Sequence, residues 1–130
     1  MRGSGSVTGG ASRFSVPATF PRVSGEPAGT TTPEEMLAAS HAICYGIGLR
    51  SQIAQRGGKA QRVRVTATIT ADKGANGIRI RSSHLDGVVE GLEGIDEAQL
   101  QEIGRATEEG CTISIAIRAS VAISFSVSAR

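Results

Sequence analysis

At 130 residues the chain is long enough for one domain with a buried core, and it holds no run near the roughly 18 apolar residues of a membrane span. A net charge of +2, scattered along the chain, with three Phe, one Tyr and no Trp, offers neither the basic patch nor the stacking aromatics of a nucleic-acid binder. The first residues lack the apolar stretch of a signal peptide, so the chain is expected in the cytoplasm. There, cysteines serve redox or catalytic chemistry more often than structural bridging.

Residues 1–10 (MRGSGSVTGG) are rich in Gly and Ser, and read as a mobile lead, a tag remnant or the end of a hairpin. Ser12 to Val16 alternates well enough for a short strand, and Pro17, Pro21 and Pro27 keep the next stretch extended or turning. Thr32 to Arg56 then reads as one long helix. Thr32 can cap it, Pro33 suits its first position and Glu35 completes a T-x-x-E capping box. No charge follows Glu35 until Arg50, so this helix is expected to be mostly buried. Gly46 and Gly48 inside it each cost on the order of 1 kcal/mol of helix propensity, tolerable where another backbone approaches closely.

Gly57-Gly58 stops the helix, and Arg62 to Lys73 alternates cleanly as a half-buried strand, with Val63, Val65, Ala67, Ile69 and Ala71 on one face. A turn at residues 74–77 leads to an antiparallel partner over Ile78 to Val89, bulged or bent near Gly87. Asp96 to Glu109 is a second helix with Asp96 as cap, Gln99 closing the box and an Ile95–Leu100 staple. Gly110 ends it, directly before Cys111. The tail from Ser120 to Arg130 alternates again, with Val121, Ile123, Phe125 and Val127 inward. The pattern predicts an α+β domain spanning residues 1–130, with helices covering an antiparallel sheet.

Cys44 lies mid-helix. A free thiol has a pKa near 8.5, so only about 7 % is thiolate near neutral pH. The helix dipole fades within the first turn, too far away to help, and burial pushes the pKa upward. A cation from elsewhere is required, and arginine suits because it stays charged when desolvated and its fork can hold a thiolate together with a second acceptor. Spacing does not say which arginine. Plain structural readings stand beside each residue: Cys44 as a core thiol, Cys111 as a half-buried one, Glu34 as a first-turn acid favoured by the dipole. His41, three residues before Cys44, is either a proton acceptor or a packing residue, and His84 in the hairpin reads as structural. No C-x-x-C or H-x-x-x-H spacing supports a zinc site.

Arg22, the helix start TTPEEMLAASHAIC and the later EEGCTIS resemble the OsmC/Ohr family, the osmotically induced protein C and organic hydroperoxide resistance proteins. That family carries an arginine upstream of a G-T-N-P-E-E-L-like helix start, a cysteine ten residues beyond its first Glu, and a second cysteine in a G-C-P-V-S-like turn. Those positions fall on Arg22, Glu34, Cys44 and Cys111, and the H-A-x-C context leans towards the OsmC branch. Thr32 stands where the family usually has Asn, Thr112 replaces the Pro after the second cysteine, and a further N-terminal strand usual in the family is expected to be missing.

The resemblance implies an OsmC-like fold, a long central helix carrying the reactive cysteine, and an intertwined homodimer. It also implies a thiol-dependent peroxidase that needs no metal or organic cofactor. Cys44 would reduce a hydroperoxide, Cys111 would resolve the product, and dihydrolipoamide or a lipoylated protein would restore the thiols. Arg22 would hold the thiolate and Glu34 would hold Arg22. The alternative is a non-catalytic OsmC-like module that binds a small molecule or serves assembly. Ten helical residues separate Glu34 from Cys44 by about 15 Å, so one guanidinium cannot touch both within one helix. Either Arg22 contacts only one of them, or two copies of the helix pack antiparallel and share a site.

Overall fold

The computed structural model describes residues 3–11, 14–20 and 29–130. Two strands open it, β1 (Gly3–Thr8) and β2 (Ser15–Phe20), paired antiparallel from Gly3↔Phe20 to Thr8↔Ser15. Of the readings for the Gly/Ser-rich start, the end of a hairpin holds; the strand expected over Ser12 to Val16 corresponds to β2, which begins at Ser15, while Ser12 and Arg13 lie outside the described residues. Pro17 is tolerated inside β2 because its carbonyl faces away from β1, accepting the Thr31 N–H at 2.8 Å. A residue's N and O share one edge of a strand, so the N–H that proline lacks is not missed in the β1–β2 ladder.

Helix α1 (Pro33–Gln55) follows, capped by Thr32, whose Oγ1 accepts the Glu35 N–H at 3.2 Å. Its buried residues are His41, Tyr45, Leu49 and Ile53, one every four positions. This stripe packs on the sheet, and the expectation of a mostly buried helix is corrected: Ile43 and Ile47 are 63 % and 67 % exposed. An uncharged stretch is compatible with burial but does not require it within one chain.

Strands β3 (Arg62–Gly74) and β4 (Gly77–Glu90) form the expected hairpin, and β5 (Ala122–Ala129) lies on the other side of β4. The β4–β5 pairing is parallel, from Ser82↔Ala122 to Val89↔Ala129, so the sheet is mixed and not antiparallel throughout. Parallel neighbours need a crossover, supplied here by α2 (Glu97–Gly110) and α3 (Thr112–Ile117). In α2 the full capping box forms, with the Gln99 N–H donating to Asp96 and the Asp96 N–H to Gln99.

The irregularity expected near Gly87 sits instead at Thr70/Ala71, where the partners step from Ser82 to Ile80 and Arg81 is left over. It is needed for parity. Ile78 and Ile80 face inward before it, and Ser83, Leu85 and Val89 after it, so an extra residue must return the apolar set to the same face. Gly87 answers to packing: a Cβ there would lie 2.9 Å from Leu49 Cδ1. Gly48 likewise makes room, although for the Thr107 side chain of α2 and not for a backbone. The core gathers Tyr45, Leu49, Ile53, Leu85, Val89, Leu100, Ile103 and Val127 on the helical side of the sheet. The opposite face, with His84, Asp86, Ser124 and Ser126, is exposed. No helix among the described residues is long and apolar enough to cross a membrane.

Candidate active site

Cys44 is half-buried on α1, one turn beyond His41, and Cys111 is buried at the junction of α2 and α3. The fold brings the two free thiols close enough for each to shift the other's ionisation. Burial of Cys44 works against its ionisation. The Cys111 S–H and the backbone N–H groups of Ile113 and Thr112 more than offset it, and the thiol falls below its ordinary value. Among the described residues, the groups that lower it are neutral donors at the start of α3. Cys111 moves the other way. Burial pushes it up foremost, the neighbouring Cys44 adds to this, and the Ser114 N–H and hydroxyl only partly oppose it. One sulfur is thus poised to carry the charge and the other to donate a proton to it.

The negative end of the preceding helix also favours a raised Cys111, beside the burial that leads its upward shift. The donors at Cys44 are not visible in the sequence because α3 is not. Its segment TISIAI is rich in β-branched residues and alternates, which hides a helix of six residues.

Cys44 opens onto an apolar recess of about 460 Å³ lined by Met36, Ala39, Ser40, Ile43, Ile47, Thr112 and Ile113. Glu34 lies elsewhere. It lines a separate recess of about 320 Å³ between the first turn of α1 and Ala67, Thr68, Ile69 and Ala71 of β3. The chain therefore brings Cys44 and Cys111 together and leaves Glu34 apart. Arg22 lies outside the described residues.

His41 is wholly buried, with Nδ1 2.7 Å from Ser83 Oγ on β4 and Nε2 2.7 Å from Ser114 Oγ on α3. Burial lowers its pKa, against a weaker upward pull from Glu108. Glu108 is itself engaged by Arg118, which donates to its carboxylate at 2.8 Å and its carbonyl at 3.1 Å. His84 lies on the exposed sheet face, 2.7 Å from Ser124 Oγ.

The profile of the family described as OsmC-like protein matches residues 25–126. The chain belongs to this family. Peroxiredoxin OsmC of Escherichia coli is 27 % identical over 95 residues, which are 73 % of this chain and 66 % of that protein. The alignment thus spans just under two thirds of that relative's length. Among solved structures, the organic hydroperoxide resistance protein OsmC of Legionella pneumophila superposes with a TM-score of 0.69 at 22 % identity, covering 98 % of this chain and 96 % of the other. An organic hydroperoxide resistance protein from Elizabethkingia anophelis does so with a TM-score of 0.77 at 18 % identity, covering 100 % of this chain and 96 % of the other. These likenesses establish the mixed α+β fold of OsmC-like proteins for this chain.

Proposed function

We propose that this OsmC-like protein is a thiol-dependent peroxidase for organic hydroperoxides. What carries the reading is the pairing of a half-buried thiol of lowered pKa, Cys44, with a buried thiol of raised pKa, Cys111, beside an apolar recess. The names of the Escherichia coli and Elizabethkingia anophelis relatives support it. The Cys44 thiolate attacks the distal peroxide oxygen, an S–O bond forms as the O–O bond breaks, and the departing alkoxide takes up a proton and leaves as alcohol. The Cys111 sulfur then attacks the sulfenic sulfur, and the hydroxyl leaves as water with the thiol proton. A dithiol such as dihydrolipoamide, or a lipoylated protein in the cytoplasm, reduces the Cys44–Cys111 disulfide by two exchanges. Arg22 steadies the thiolate and polarises the peroxide, with Glu34 holding its guanidinium.

The working form in this reading is a homodimer. Ile43 and Ile47 of α1 face solvent beside the Cys44 recess, an apolar surface suited to a second copy of the same helix. An antiparallel arrangement would bring Glu34 of one chain near Cys44 of the other and remove the separation of about 15 Å between them.

A dihydrolipoamide-linked assay comparing cumene hydroperoxide with hydrogen peroxide tests the activity. Turnover with the organic peroxide is expected, and none with either would refute the reading. Mixing inactive Glu34→Ala and Cys44→Ser chains after reversible unfolding tests the shared site. Each heterodimer should regain one intact site; sites contained within one chain would regain none.

A further inference from the structure

The peroxidase chemistry makes no use of His41, although it is wholly buried and both ring nitrogens are engaged. Its position is informative. On α1 it lies three residues before Cys44, hence on a neighbouring part of the same helix surface. Its partner Ser114 lies three residues after Cys111, and the Ser114 N–H and hydroxyl sit beside the Cys111 sulfur. A single imidazole therefore joins the sheet at Ser83, the helix bearing Cys44 and the short helix headed by Cys111.

Helix α3 has six residues, too few to hold a conformation without tertiary contacts. Ser114 is its one buried residue, while Thr112, Ile115 and Ala116 are exposed. The His41–Ser114 bond is thus a buried anchor for the segment that supplies both Cys111 and the N–H groups facing Cys44. At the far end, Arg118 provides a second tie, to Glu108.

We propose that His41 is a positioning residue which, through Ser114, holds the start of α3 in register with α1 so that the Cys111 thiol reaches the Cys44 sulfur. The proposal rests on the redox pairing of the two cysteines in the proposed peroxidase. The ring acts as a neutral orienter and not as a base. Burial disfavours its protonation while also disfavouring loss of the Cys111 proton, so moving that proton through Ser114 onto His41 runs uphill in both halves. Among the described residues, Glu108 is the charged group that acts on the ring, and its opposing pull is the weaker effect.

The test is the equilibrium of the Cys44–Cys111 disulfide in a glutathione redox buffer. One oxidised glutathione takes up two electrons and two protons from the thiol pair and leaves as two reduced glutathiones. Gln at position 41 can place an amide near the former Nε2 and keep Ser114 engaged, whereas Asn reaches only the Nδ1 position, towards Ser83. His41→Asn and Ser114→Ala should each lower the effective concentration of the thiol pair about tenfold, and His41→Gln should stay within about threefold of wild type, as expected for one net hydrogen bond. Equal equilibria for His41→Asn and His41→Gln would overturn the proposal, as would a folded Ser114→Ala protein with the wild-type value. If His41→Asn fails to fold, His41→Leu takes its place, because Ser114→Ala also removes the hydroxyl beside the Cys111 sulfur; a folded His41→Leu protein with the wild-type equilibrium overturns the proposal. The measurement uses no peroxide, so a chain that consumes no hydroperoxide refutes the peroxidase reading without altering this result.

Discussion

Cys44 and Cys111 are the two thiols of the chain, and they meet in space with opposite chemical characters. Cys44, half-buried on the long helix, receives donors: the Cys111 S–H and two backbone N–H groups from the start of α3. Cys111, buried between α2 and α3, is dominated by the loss of water. The comparison shows that a pair of chemically identical side chains can be divided into a more readily and a less readily ionised thiol by where donors and solvent fall. A neighbouring cation would add to this asymmetry but is not what creates it among the described residues.

The largest expected effect tests the division outright. Cys44→Ser should abolish peroxide turnover, whereas Cys111→Ser should consume one equivalent and leave a sulfenic acid on Cys44, identified by intact mass after dimedone trapping. Trapping on Cys111 in the reciprocal variant would reverse the assignment. Arg22→Lys keeps the charge but loses the fork, and should retain a small fraction of the wild-type rate; a wild-type rate together with a wild-type Cys44 pKa would remove Arg22 as activator.

A subtler effect concerns pH. In iodoacetamide alkylation followed residue by residue, Cys44 should react with a midpoint below the usual thiol value and Cys111 with one above it. Cys111→Ala should raise the Cys44 midpoint by removing its leading donor, while Cys111→Ser, whose hydroxyl also donates, should restore part of the depression. An unchanged Cys44 midpoint in Cys111→Ala would assign the lowering to the backbone donors.

The smallest expected effect is on stability. His41 is held neutral in the folded protein with its pKa lowered, so below the ordinary value of 6.5 the unfolded chain binds the proton more readily. Stability conferred by the neutral ring is therefore fully present above that value and is lost as pH falls through the lowered folded pKa. Urea melts across this window should show a slope that His41→Gln flattens, and equal slopes would show that the buried ring carries no such linkage.

Much of this arrangement was legible in short stretches of sequence. Thr32 and Asp96 cap α1 and α2 as their spacing predicts, because capping is a bond across three residues. The β3 alternation and the inward set Ile123, Phe125 and Val127 of β5 likewise follow from the period of two. Cys44, Cys111, Glu34 and Arg22 stand out by their motif context. For the two cysteines the structure adds proximity, for Glu34 it adds separation from Cys44, and Arg22 falls outside the described residues.

The remaining features join residues that no local pattern connects. Strand β1 forms from Gly and Ser because its backbone finds β2, and the parallel β4–β5 pairing depends on how the crossover returns. The Arg81 bulge follows from the demand that two inward sets of opposite parity share one core. Helix α3 goes against the alternation of its own residues, with Ser114 buried against His41. By itself the sequence determined which segments could be helix or strand, since propensity, capping and periodicity act over a few residues, and its motif context singled out the candidate site residues. What lowers Cys44 and raises Cys111 was decided only by the tertiary structure, because the desolvation and hydrogen-bond donors at the two thiols come from elements brought together by folding.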